Sequence, residues 1–173
     1  MSLLSACQIN PLDNLSQTNS AEDDESIPNI ENLNLSSNSV FQDILPELEQ
    51  KTEITPSLPT YLPEYQSDPP LHAILADVSE SQYQIVLGYT PDCTGQNSCR
   101  LGNIEATAID SEIALQGEKT ITLDDGTKAY FTDARCDTYS TDSTLSWKQN
   151  SVIHIVGIKA GKIETLIKIA ESM

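Results

Sequence analysis

Residues 143–172 read STLSWKQNSVIHIVGIKAGKIETLIKIAES, and this stretch decides the fold. Ser143–Lys148 and Val152–Lys159 are runs of strand-forming residues around the polar turn Gln149-Asn150-Ser151. Ala160-Gly161 punctuates them, and from Lys162 to Ser172 the spacing changes. Ile163, Leu166, Ile167 and Ala170 recur three and four residues apart, which makes one apolar face of a helix. A helix of eleven residues is marginal alone in water, so this one is expected to pack on the sheet before it.

The same pattern extends upstream. Thr120–Leu123 and Lys128–Asp133 flank Asp124-Asp125-Gly126, where Asp-Gly supplies the positive φ angles of a tight hairpin. His72–Ser79 and Gln82–Tyr89 flank the polar pair Glu80-Ser81, and Gly102–Leu115 reads as one long or broken strand ended by Gly117. Strands in succession with a single terminal helix predict an α+β fold. The expected architecture is an antiparallel sheet of about five to seven strands with one C-terminal helix packed on it, preceded by a disordered N-terminal segment.

Composition separates that domain from what precedes it. Residues 8–56 are rich in Asn, Ser, Asp and Glu, and ten acidic residues there face one basic one, Lys51. Such a segment cannot bury enough apolar surface to offset its ordering entropy, so an acidic disordered tether is expected over 8–56 and a single domain over 57–173. One patch of the tether departs from this. Ser39 and Gln42 have capping-box spacing, and Val40, Phe41, Ile44, Leu45 and Leu48 share one side of a helical wheel. Pro46 is expected to break that helix before a third turn. A transient helix, one docked on its own domain, or a short partner-binding motif all fit this patch. Pro56, Pro59, Pro63, Pro69 and Pro70 then predict an extended entry along a domain edge.

The chain carries 9 basic and 26 acidic residues, a net charge of -17. Phosphate neutralisation needs clustered Lys and Arg, and every extended surface here is expected to repel a polyanion. Nucleic acid is therefore excluded as a partner, and docking on anionic lipid is disfavoured. No apolar run reaches the eighteen or so residues that span a bilayer.

Leu4-Ser5-Ala6-Cys7 resembles the lipobox of bacterial lipoproteins, in which the chain is cut before a cysteine that then carries lipid. The resemblance implies that 1–7 is the remnant of a signal peptide, that Cys7 is the lipidation site, and that the protein is lipid-anchored in the envelope or periplasm. Six residues precede Cys7, fewer than a signal peptide needs, so either the true start lies upstream, or the sequence is trimmed, or the match is chance. An ordinary free cysteine is the alternative.

Tyr83-Gln84-Ile85-Val86-Leu87, then Cys93-Thr94-Gly95-Gln96-Asn97-Ser98-Cys99 and Gly102, resembles a family of uncharacterised small cyanobacterial envelope proteins with a Cys-x-Gly-x-Asn-x-Cys segment. Leu58-Pro59 and Ala129-Tyr130-Phe131 fit the same pattern. Trp147, the Asn150-Ser151 turn, His154 and Ala170-Glu171-Ser172 are similar to the C-terminal regions of bacterial anti-sigma-factor-like envelope proteins, with His154 where tyrosine is usual. The resemblance covers about residues 55–173 and implies a fold and a compartment, with no known activity.

With Cys7 set aside, Cys93, Cys99 and Cys136 remain. Members of the resembled family tend to have a second close pair near Cys136, which implies a Cys93–Cys99 disulfide here and an unpaired thiol at Cys136. Closing so short a loop stabilises by about 2 kcal/mol. Cys93–Cys136 and Cys99–Cys136 stay open, because connectivity cannot be read from sequence. The spacing is wrong for a zinc knuckle, and only His72 and His154 would complete a zinc site, so no metal and no cofactor are expected.

Cys136 with His154 is the one candidate thiol–imidazole pair, since the motifs of hydrolases, metalloproteases and phosphate loops are lacking. His154 shares its strand face with Val152 and Val156, as a packed sheet residue would. Asp124-Asp125 is explained by the turn and Trp147 by anchoring under the helix. Arg100, Arg135, Lys128 and Lys148 would make a cationic spot if the fold gathered them. The expected function is a non-catalytic extracytoplasmic binding or structural lipoprotein domain. It would contact an envelope protein or an apolar ligand through an open sheet face, and touch the membrane only through Cys7. The alternative is a small extracytoplasmic enzyme or enzyme accessory subunit using Cys136 and His154.

Overall fold

A computed structural model describes residues 39–63, 70–109, 114–134 and 142–173, all within one compact unit. Seven strands form a single antiparallel sheet: β1 (His72–Ser79), β2 (Gln82–Gly88), β3 (Arg100–Ala108), β4 (Lys119–Thr122), β5 (Lys128–Thr132), β6 (Asp142–Gln149) and β7 (Val152–Lys159). Their spatial order is β1-β2-β3-β7-β6-β5-β4. The first three strands form a meander, the chain then crosses to the far edge at β4, and a second meander returns β7 beside β3. The C-terminal helix, α2 (Ile163–Glu171), packs on β6 and β7.

Turn chemistry fixes the register. Asn150 (φ 50°) and Ser151 (φ 62°) are both left-handed, which closes the β6–β7 hairpin with two residues and matches the strands' twist. In the β4–β5 turn only Gly126 takes a positive φ (85°), while Asp125 accepts hydrogen bonds from the Thr127 amide and hydroxyl. β1, an edge strand, bulges between Leu75 and Asp77, which disrupts the ladder an outside strand would need. The expected strand Gly102–Leu115 is shorter than its sequence reading: β3 starts at Arg100 and ends at Ala108.

The register puts Tyr83, Ile85, Leu87, Ile104, Ala106, His154, Val156, Ile158, Leu145, Trp147, Ala129 and Phe131 on one face of the sheet. Apart from His154 these residues belong to one apolar cluster, together with Leu166, Ile169 and Ala170 of α2. Ile169, which the predicted stripe omits, is fully buried; Ile163 and Ile167 lie at its flanks.

The other cover on this face comes from the N-terminal side, and it moves the expected domain boundary. A 3-10 turn (Ser39–Phe41) and a helix, α1 (Leu45–Lys51), pack near β1, with Phe41 and Leu48 both at 0% exposure. Ile54, Leu58 and Leu62 continue the same cluster along a strap, residues 52–63. The folded unit therefore reaches back at least to Ser39 instead of starting at 57, and residues 39–56 are not tether. Pro46 begins α1 instead of breaking it, because it occupies the first turn, where its missing N–H has no helical partner to lose. The docking reading of this patch is the one the fold realises: a helix of seven residues persists because its apolar side has a sheet to cover. Expectations for 1–38 lie outside the described residues.

Backbone hydrogen bonds tie the strap down. The Glu53 amide donates to the Glu80 carbonyl at 2.9 Å, in the β1–β2 turn. The Tyr83 hydroxyl donates to the Ser57 carbonyl and accepts from the Ser57 amide, both at 3.2 Å. The Thr60 amide donates to the Ser172 carbonyl and the Tyr61 amide to the Ser172 hydroxyl, each at 3.1 Å, so strap and α2 are fastened to one another.

Candidate functional site: the polar face of the sheet

The alternation that buries one face brings Gln84, Glu105, Ile155, Ser146 and Tyr130 into a single row on the other. Beside it lies a second row, Val86, Asn103, Gly157, Thr144 and Thr132. Both helices and the strap contribute their apolar residues to the cluster on the opposite face, so the polar face carries no described helix.

Its side chains are interlocked. Gln84 Nε2 donates to Glu105 Oε1 at 2.8 Å, and Asn103 Nδ2 donates to the same oxygen. Arg100 holds Asp142 with a fork, Nη1 to Oδ2 at 2.6 Å and Nη2 to Oδ1 at 3.1 Å, and also reaches Asn97 Oδ1 at 3.2 Å. Gly157 makes room for this network, since a Cβ there would lie 2.5 Å from Asn103 Oδ1. Burial pushes the Asp142 carboxyl above the usual aspartate range, and the Arg100 guanidinium pulls against it without prevailing. Arg100 Nε is buried without a hydrogen-bond partner.

A clasped loop closes one end of this face. Cys93 and Cys99 are joined by a disulfide, with Cα atoms 5.7 Å apart. The Tyr89 amide donates to the Cys99 carbonyl at 2.8 Å across the loop base, and Lys159 Nζ donates to the Asn97 carbonyl at 2.6 Å. Asp77, Glu105 and Asp142 are the acids the register assigns to this face, and each accepts a side-chain hydrogen bond. Against them stand Arg100, Lys128, Lys148 and Lys159, so the described strand residues of this face do not share the acidity of the chain as a whole. The expectation that every extended surface repels a polyanion does not follow from these strand residues, because strand alternation segregates the charges.

The other sequence-predicted residues are scattered. His154 is on the packed face, 5% exposed, its ring stacked on Trp147 with centroids 5.3 Å apart. Cys7, Arg135 and Cys136 lie outside the described residues. His72 sits half-buried at the start of the edge strand β1. Among the described residues no three His, Cys, Asp or Glu side chains are grouped to hold a metal ion. Arg100 and Lys148 do not gather: Arg100 grips the first residue of β6, and Lys148 lies six residues further on, about 20 Å along the strand. Sequence reasoning missed Gln84, Asn103, Glu105 and Asp142. The alternation Asn103, Glu105, Thr107 in β3 signalled a polar face, but the Arg100–Asp142 pairing spans 42 residues and leaves no local trace.

The fold and its site define a small α+β sheet protein with one packed face and one polar, cross-linked face. No family model, curated protein or solved structure matches the chain.

Proposed function

We propose that this protein is a non-catalytic binding or structural module of a bacterial cell envelope, held there by lipid on Cys7, which meets its partner through the polar face of the sheet. The observation that carries this reading is the row Gln84–Glu105–Ile155–Ser146–Tyr130, over which no described helix packs and in which Gln84 and Glu105 are bonded to one another and the Ser146 hydroxyl donates to the Tyr130 carbonyl. Side chains held in place before contact lose little entropy on binding. Hydroxyls, amides and balanced charges suit a polar partner surface, so an envelope protein fits this face better than an apolar ligand. His154 supports the non-catalytic reading, because a general base must reach solvent or substrate and this imidazole is buried against Trp147.

Mass measurement of the mature protein from a membrane fraction tests the anchor. The expected species begins at an acylated Cys7; an intact Met1 with an unmodified Cys7 in the soluble fraction would overturn the anchored reading. The surface is tested by Ser146→Arg, which should abolish retention of the partner while leaving the melting temperature within about 2 °C of the parent. Undiminished retention would remove the polar face from the proposal.

A further inference from the structure

His154 is the anomaly of the packed face. It is 5% exposed, its Nδ1 has no hydrogen-bond partner, and its ring lies nearly parallel to the Trp147 indole, 19° apart. Buried polar atoms are nearly always paired, so an unpaired one asks for a reason. Its position supplies one. The register places Tyr83, Ala106, His154, Trp147 and Ala129 in one row across β2, β3, β7, β6 and β5. The end of α2 is fastened at both ends of that row. On one side Ser57 bonds both the Tyr83 hydroxyl and the Met173 carbonyl; on the other, Glu171 Oε1 accepts from the Asp124 amide in the β4–β5 turn. The last turn of α2 therefore lies over the row that holds His154.

We propose that His154 is an acid-operated latch: on taking up a proton its ring leaves the layer beneath α2, and the last turn of α2 lifts from the sheet together with the strap it holds. Among the described residues no acidic side chain is paired with an imidazolium here. The register partners on β3 and β6 are Ala106 and Trp147, and the nearby charges Glu105 and Lys148 belong to the opposite face. Lys162, Glu164, Lys168 and Glu171 of the α2 segment are all exposed, with Lys168 over the Tyr61 ring and Glu171 turned to Asp124. On the strap and the neighbouring turn, Glu53, Asp124 and Asp125 are exposed, and the Tyr83 phenol and the Met173 main chain are engaged by Ser57. The two ion pairs among the described residues, Lys51–Glu47 and Arg100–Asp142, leave His154 out.

The sign follows from burial. Desolvation pushes the imidazole below the ordinary histidine range, so the closed state holds it neutral, while the open state returns it to about 6.5. The open state binds the proton more readily, and opening is favoured as pH falls through and below the ordinary range. For every pH unit that separates the two values, the opening equilibrium changes about tenfold. Lifting the turn frees Ser172, and with it the Thr60 and Tyr61 amides, so strap and helix leave as one piece.

The full chain allows a direct test, because it contains one tryptophan and two histidines. Trp147 fluorescence, the ring resonances of His154 and His72, and amide exchange corrected for its intrinsic pH dependence are followed from pH 8 to pH 4. The expected result is an acid transition in which the Trp147 signal and the exchange of residues 169–173 and 57–61 follow the His154 resonance. Exchange there should become at least about tenfold faster for each pH unit by which His154 titrates below 6.5. β3 and β7 should stay protected throughout. His154→Phe, which keeps an aromatic ring over Trp147, should abolish the transition, while His72→Gln should leave it unchanged. Should His154→Phe fail to fold, the parent protein decides alone through the coincidence of the His154 and α2 curves. A transition that survives in His154→Phe, α2 amides that stay protected after His154 is protonated, or loss of β3 and β7 protection in the same step would each overturn the latch.

Discussion

At the scale of single residues, the balance between burial and pairing at Arg100 and Asp142 decides what substitution does. The two side chains are largely withdrawn from solvent, and the fork between them compensates for that. Arg100→Ala leaves a buried carboxylate without its partner and is expected to cost about 3 kcal/mol in urea unfolding at pH 7. Asp142→Asn should cost less, because burial already disfavours the charged carboxyl there. The pH dependence carries the same signature. Asp142 has a folded-state value above its unfolded one, so its contribution to stability is present at low pH and lost as pH rises through the folded value. In Arg100→Ala that value should climb further, and the stability lost between pH 4 and pH 7 should grow relative to the parent protein. Equal pH profiles for the two proteins would show that Arg100 does not act on Asp142.

At the scale of elements, the helix ahead of the sheet and the clasped loop are separable. Phe41 and Leu48 are the deepest residues of the N-terminal cover, and replacing either with alanine is expected to cost about 3–4 kcal/mol. A chain begun at residue 57 would lack both together with Ile54, leaving apolar area over β1 exposed. It should melt well below a chain begun at residue 39, and equal melting temperatures would refute the part assigned to this cover. Replacing Cys93 and Cys99 with serine should lower stability by about 2 kcal/mol and raise amide exchange at 89–99 first, because the clasp constrains a short loop. α1 was visible as an apolar stripe, and docking on its own domain was one of three readings that the sequence left open. Composition across 8–56 is acidic and polar on average, and a seven-residue helix inside such a stretch becomes stable only through a sheet that lies elsewhere in the chain.

For the whole molecule, the charge of -17 is the largest uncompensated feature. Self-repulsion of this size opposes compactness, and salt screens it over about 8 Å at physiological ionic strength. The melting temperature at pH 7 is therefore expected to rise when sodium chloride is raised from about 10 mM to about 150 mM, as seen by circular dichroism. A fall would mean that attractive pairs outweigh the repulsion. The buried Arg100–Asp142 pair should be insensitive to the same change, since its charges are shielded from the ions.

The strand runs, the Asp125-Gly126 and Asn150-Ser151 turns and the stripe of α2 determined an α+β sheet with a terminal helix, because period and turn chemistry are local properties. The meander β4–β7 could be read in order for the same reason. The docking of β7 against β3, the recruitment of residues 39–56 into the core and the joining of Arg100 to Asp142 were decided by the tertiary structure alone. Each depends on which face a distant strand presents, and a one-residue change of register turns every side chain to the other side of the sheet. For the same reason the sequence left His154 as one residue among the apolar positions of a strand, and only the fold set its ring on Trp147 beneath the last turn of the helix.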